Sequence, residues 1–137
     1  MKIKIKKLNE EAVIPKYSKH GDAAMDVVAV SKNVTEKFIE YGTGLSFEVP
    51  ENYVMLIFPR SSVSNKTLSQ CNSVGVLDSG YRGELKIRFY KIGSEEYEIG
   101  ERVAQIMVLP RPEVEFQEVA ELSPTERGDG GFGHTGK

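Results

Sequence analysis

The chain has 137 residues, enough for one self-sufficient core and too few for an eight-stranded α/β barrel, which needs about 200. Its 18 Lys and Arg against 20 Asp and Glu leave a net charge of −2, so no basic excess points to nucleic acid as a partner. The single cysteine, Cys71, excludes an internal disulfide framework and fits a reducing, cytoplasmic compartment.

In chain order, Ile3 and Ile5 alternate with lysines, which predicts a first strand. No apolar stretch follows Met1–Lys7, so no secretory signal is expected. A turn at His20-Gly21-Asp22 precedes short strand candidates at Val27–Val30 and Val34–Ile39. Tyr41-Gly42-Thr43-Gly44 reads as a turn, and Leu45, Phe47 and Val49 then alternate with polar residues. After Pro50-Glu51-Asn52, the run Tyr53–Phe58 is continuously apolar and predicts a strand buried on both faces. At six residues it is the longest such run, far short of the roughly 18 of a membrane span. Ser61–Gln70 is the one segment that predicts a helix, with Ser61 or Ser62 as its N-cap. Beyond a turn at Asp78-Ser79-Gly80, Leu85, Ile87 and Phe89 alternate as a half-buried strand. Ile99-Gly100 reads as a turn, Val103–Leu109 as another strand buried on both faces. Val114 and Phe116, flanked by Glu113, Glu115 and Gln117, read as a last alternating strand. Many short strands between closely spaced turns predict an all-β sandwich or barrel, and no segment supports a βαβ unit.

The end of the chain differs in kind. Five of the 13 glycines fall in Gly128–Gly136, a composition that cannot pack a core by itself. Gly131 to Lys137 imitates a phosphate-binding P-loop, G-x-x-x-x-G-K, but no hydroxyl residue or helix follows. Its glycine amides beside Arg127 and Thr135 suit either an anion-wrapping loop or a disordered tail.

Three other segments carry chemistry on either of two readings. Pro59-Arg60-Ser61-Ser62 joins a guanidinium, hydroxyls and turn amides, which makes a phosphate cradle or an ordinary cap beside a solvated arginine. Gly75–Gly83 is a glycine-flanked turn with an acid, Asp78, and an aromatic, Tyr81. It either presents a general base next to a ligand-reading backbone or is a plain β-turn. Cys71 has neither a catalytic partner nor a metal-ligand spacing to His20 or His134, and reads as structural.

Together and in order, these segments resemble the five motifs of the trimeric dUTPase family, over nearly the whole chain. They are Ala23–Val27, Pro59–Ser62, Asn72–Gly83, Gly100–Gln105 and Arg127–Gly136. The resemblance implies a distorted jelly-roll-like β-barrel or sandwich over 1–126, with a mobile glycine-rich C-terminal arm over 127–137. It implies hydrolysis of dUTP to dUMP and pyrophosphate, which keeps uracil out of DNA and supplies dUMP for thymidylate synthesis. Asp78 resembles the base that activates water for attack on the α-phosphate. Tyr81 resembles the aromatic under the deoxyribose that leaves no room for a 2′-hydroxyl. The backbone of Gly75, Val76 and Leu77, with the Asn72 side chain, resembles the uracil reader. Arg60, Ser61, Ser62 and Gln105 resemble triphosphate contacts, and Lys86 belongs to the same substrate-binding set. Asp26 resembles the acid that holds Mg²⁺, the implied cofactor, through water on the triphosphate. Arg127, Gly133, His134 and Thr135 resemble the arm's phosphate-side contacts, with Phe132 as the lid on uracil.

Family members are homotrimers whose sites are shared between subunits, so the expected partners are dUTP and two further copies, with no nucleic acid and no membrane. Ala24 stands for a usual glycine, Leu77 for isoleucine and His134 for serine. The alternatives are an enzyme related to dCTP deaminase, or a regulatory protein on the same scaffold. The deaminase requires a glutamate where this chain has Arg88, which cannot serve as a base.

Overall fold

The structure is a computed structural model describing residues 1–136; the last residue of the expected arm, Lys137, lies outside the described residues. Ten strands and one 3₁₀ turn make up its regular structure. The strands are β1 (Lys4–Lys7), β2 (Met25–Val28), β3 (Ser31–Val34), β4 (Ile39–Gly42) and β5 (Leu45–Glu48). They continue with β6 (Tyr53–Phe58), β7 (Leu68–Gln70), β8 (Gly75–Leu77), β9 (Lys86–Lys91) and β10 (Arg102–Pro110). Two antiparallel four-stranded sheets, ordered β2-β10-β6-β8 and β3-β4-β9-β7, enclose the core, and β1 pairs with β5 as a separate ribbon. The all-β sandwich expected from the turn spacing is the fold.

Period-two alternation explains which side chains meet. Val27, Met55, Ile57 and Ile106 are buried from one sheet, and Ile39, Tyr41, Ile87 and Phe89 from the other. The rings of Tyr41, Phe89 and Tyr97 cluster edge-on or tilted at 5.8–6.0 Å between centroids. The Tyr41 hydroxyl donates to the Tyr97 carbonyl at 2.8 Å, and burial pushes its pKa up to about 12.

Several local expectations are corrected. Ser61–Gln70 is not a helix: a 3₁₀ turn spans Ser61–Asn65 and β7 follows. The turn buries no residue, whereas Leu68 and Gln70 point inward with strand period. Arg60, with extended backbone, takes the cap position in place of Ser61 or Ser62 and makes no side-chain cap bond. Tyr41 and Gly42 are not in a turn but end β4, because Tyr41 belongs to the aromatic core. Val34–Ile39 is split by a bend in which the Thr35 hydroxyl accepts the Phe38 N–H. Val114–Gln117 forms no strand, and Phe116 is 94% exposed, with no sheet surface beneath it.

The two continuously apolar strands are buried on one face only. Val54, Leu56, Phe58 and Met107 lie half-buried on the outer face of β6 and β10, and Val76 on neighbouring β8 is 62% exposed.

Candidate active site

The acid-and-aromatic turn follows β8, one of the two edge strands of its sheet. β8 pairs with β6 along one side, so the backbone groups of its other side are free to meet a ligand. β7 and β8 belong to different sheets, so residues 71–74 cross from one sheet to the other. That crossing is tight: Ser73 has φ +54, in the left-handed region, and its N–H donates to the Gln70 carbonyl at 3.1 Å.

Asp78 is exposed at the mouth of a cleft of about 510 Å³, and the Asp78 carbonyl accepts the Tyr81 N–H at 3.1 Å. Asn72, Gly75, Val76, Leu77, Tyr81 and Lys86 line the same cleft. The Tyr81 ring crosses Gly83, where a Cβ would sit 2.5 Å from Cζ, and its hydroxyl donates to the Glu84 carbonyl. Arg82 holds the turn by donating to the carbonyls of Ser79 and Tyr81 at 2.6 and 3.0 Å, and Ser46 donates to the Arg82 carbonyl.

Glu40, absent from the sequence reading, fixes one wall of this cleft. It accepts from Lys86 Nζ at 3.1 Å and Arg88 Nε at 2.8 Å. Burial works to raise the Glu40 carboxyl, but the bonds from Arg88 and Lys86 outweigh it and hold it below the ordinary range. The same bond raises Lys86. Arg88 is therefore a paired cation, stacked 4.3 Å from the Phe38 ring centre, and offers no base to a deaminase. Cys71 lines the cleft wall half-buried, its thiol pushed up by burial.

A second cleft, of about 600 Å³, shares no lining residue with the first. It holds Asp26, Arg60, Ser61 and Gln105. Arg60 Nε donates to Asp26 Oδ1 at 2.8 Å and its Nη1 to the Ser62 hydroxyl at 3.1 Å. Arg102, a second unanticipated residue, reaches Asp26 Oδ2 at 3.4 Å. Gln105 sits beside Asp26 and Phe58 in register and donates to the Pro59 carbonyl at 3.0 Å.

The donor set limits what cation could bind. Among the described residues no group of three or more His, Cys, Asp or Glu side chains could hold a metal. A single carboxylate with lone pairs to spare suits Mg²⁺, which keeps several waters and takes its other ligands from phosphate. Asp26 fits that role.

The arm stands apart from both clefts. Residues 111–136 form no strand, and Phe132 is fully exposed with φ +52. Arg127 Nε donates to the Gly130 carbonyl at 2.9 Å, and the His134 ring lies against Gly130, leaving no space for a Cβ there. Gly133, with φ +87, accepts the Gly136 N–H, and Thr135 is exposed. The expected site residues thus form three groups within one chain, not one site.

Fold and motifs together define a small all-β domain built on two antiparallel four-stranded sheets. The dUTPase family model matches residues 10–136, and the chain belongs to the dUTPase family. It is 44% identical to the deoxyuridine 5′-triphosphate nucleotidohydrolase of Nautilia profundicola, over 100% of both chains. It is 42% identical to that of Fusobacterium nucleatum, over 99% of each. The Staphylococcus bacteriophage 80alpha dUTPase, solved with dUPNHPP, superposes with a TM-score of 0.85 at 30% identity, covering 99% of both chains.

Proposed function

We propose that this chain is a dUTP diphosphatase that uses Asp78 to activate water for attack on the α-phosphorus of dUTP. The observation that carries the reading is the pairing, on one turn after a free sheet edge, of Asp78 with Tyr81. Asp78 takes a proton from water as the water oxygen bonds to the α-phosphorus, and pyrophosphate leaves with the electrons of the broken bond between the α-phosphorus and the bridging oxygen. The free edge of Gly75–Leu77, with Asn72, reads the base; Tyr81 floors the sugar. Lys86 lines the wall beside it. Arg60, Ser61, Ser62 and Gln105 bind the triphosphate. Through water, Asp26 would hold Mg²⁺, which would supply positive charge to offset that of the triphosphate.

The working unit is a homotrimer in the cytoplasm. Two clefts that share no residue support a site assembled from several chains, and so does the apolar outer face of β6, β8 and β10. The arm supports exchange: Phe132 is fully exposed, with no stacking partner among the described residues, and would close as a lid on uracil. Arg127, Gly133, His134 and Thr135 would then reach phosphate. No helix among the described residues is long and apolar enough to cross a membrane.

Incubation of the pure protein with Mg²⁺ and each of dUTP, dCTP, dTTP and UTP tests the reading by pyrophosphate release. Turnover of dUTP in strong preference is the expected result. Equal turnover of all four, or none of dUTP, would contradict it.

A further inference from the structure

Gln70 is a polar side chain buried on the same inward face of β7 as Leu68. It is 6% exposed, on β7, and lines the cleft that holds Asp78. Its Nε2 lies among three oxygens: the Ile57 carbonyl at 3.1 Å, Asn72 Oδ1 at 3.3 Å and the Ser73 carbonyl at 3.4 Å. Two of these are main-chain carbonyls, which can only accept, so the nitrogen end of the Gln70 amide must face them. Its Oε1 is buried without a hydrogen-bond partner among the described residues. An apolar side chain would avoid the desolvation cost of that orphan oxygen. What glutamine adds is the donor.

From this geometry we infer that Gln70 is a positioning residue that sets the orientation of the Asn72 amide, and through it the choice of base. The N–H groups of Gln70 meet Asn72 at its Oδ1. A flipped Asn72 would set two donors against each other, so the flip is disfavoured and Nδ2 is left to the other side. Nδ2 is held close to Gly75, where a Cβ would lie 3.3 Å from it, at the start of the free edge of β8. Asn72 therefore presents a donor to the base. A pyrimidine with a keto oxygen at C4 accepts it, and one with an amino group at C4 meets it donor to donor. The inference rests on the reading of Asn72 as a base contact, and it assigns to Gln70 a share of the preference for a uracil over a cytosine nucleotide.

The test compares the parent protein with Gln70→Met, Asn72→Ala and the double variant, with dUTP as substrate, dCTP as competitor and Mg²⁺ present. Methionine keeps the length of the side chain and removes the donor. Gln70→Met should lower kcat/KM for dUTP roughly tenfold, about the worth of one hydrogen bond, and narrow the dUTP-to-dCTP preference by a similar factor. The double variant should be no worse than Asn72→Ala, because Gln70 acts through Asn72. The narrowed preference separates positioning from general loss of structure, which would lower kcat/KM for both nucleotides alike. Gln70→Leu carries the same expectations should the methionine variant not fold. Parental kinetics in Gln70→Met beside an impaired Asn72→Ala would overturn the inference and leave the base contact standing, as would fully additive losses. Parental kinetics in Asn72→Ala would overturn the base contact itself, and the inference with it.

Discussion

Arg60 and Asp26 are joined across two strands' ends, Nε to Oδ1 at 2.8 Å, within a cleft that faces outward from the sheet. The pair keeps a guanidinium, whose chemistry suits anions, beside a carboxylate, whose chemistry suits a hard cation, each neutralising the other while partly desolvated. Asp26→Asn should retain the fold, since an amide oxygen still accepts from Arg60 or Arg102. It should raise the Mg²⁺ concentration for half-maximal activity by about tenfold, because a neutral amide attracts the ion's water shell less well. A magnesium titration of pyrophosphate release measures this; an unshifted midpoint would remove Asp26 from the metal's surroundings.

Tyr81 depends on a glycine two residues away. A methyl group at Gly83 would occupy the space of its ring. Gly83→Ala should therefore displace Tyr81, raise KM for dUTP and narrow the preference for dUTP over UTP by about tenfold, near the worth of one well-packed contact. Comparing kcat/KM for the two nucleotides checks it. An unchanged ratio would show that the ring does not floor the sugar.

Lys32 and Lys91 enclose Glu96, at 2.7 and 3.1 Å, beside the Tyr41–Tyr97 core. The bond from Lys32, then that from Lys91, holds the Glu96 carboxyl below its ordinary 4.5, while the Glu96 bond raises Lys32. For a lowered carboxyl the stabilisation is complete above the unfolded value and is lost as pH falls through the folded one. Lys32→Met should lower stability at pH 7 by about 1–2 kcal/mol and flatten the loss of stability below pH 4.5. Urea unfolding at a series of pH values measures both. Parallel pH profiles for the two proteins would contradict the role of the pair.

The arm and the trimer are tested together. Light scattering should give three times the chain mass of 15.3 kDa at micromolar concentration. Deleting residues 127–137 should leave that mass unchanged and abolish most activity, by removing Phe132, Arg127 and the water exclusion of a closed site. A fully active monomer would refute the shared site, and an unchanged kcat/KM in the truncated protein would refute the lid.

Much of this was legible in the sequence where a pattern is local. Ile87 and Phe89 lie in β9 with their side chains buried inward, Leu85 is buried just ahead of it, and Asp78 and Tyr81 lie on one turn. What depends on register was not legible. Glu40 meets Arg88 only because β4 and β9 pair them directly, and Arg102 meets Asp26 only through β10 and β2. Ser61–Gln70 misled because a serine-led start resembles a helix cap, while the inward pull on Leu68 and Gln70 is a tertiary effect. The outer faces of β6 and β10 read as buried because their sequence is apolar on both sides.

The role of Asp78 as the base is tested by a single substitution. Asp78→Asn preserves the shape of the turn but cannot take a proton from water. Single-turnover measurement of pyrophosphate release, with dUTP affinity followed in parallel, should show binding within a few-fold of the parent and kcat reduced by about 10²–10⁴. Near-parental kcat in the variant would show that Asp78 is not the base.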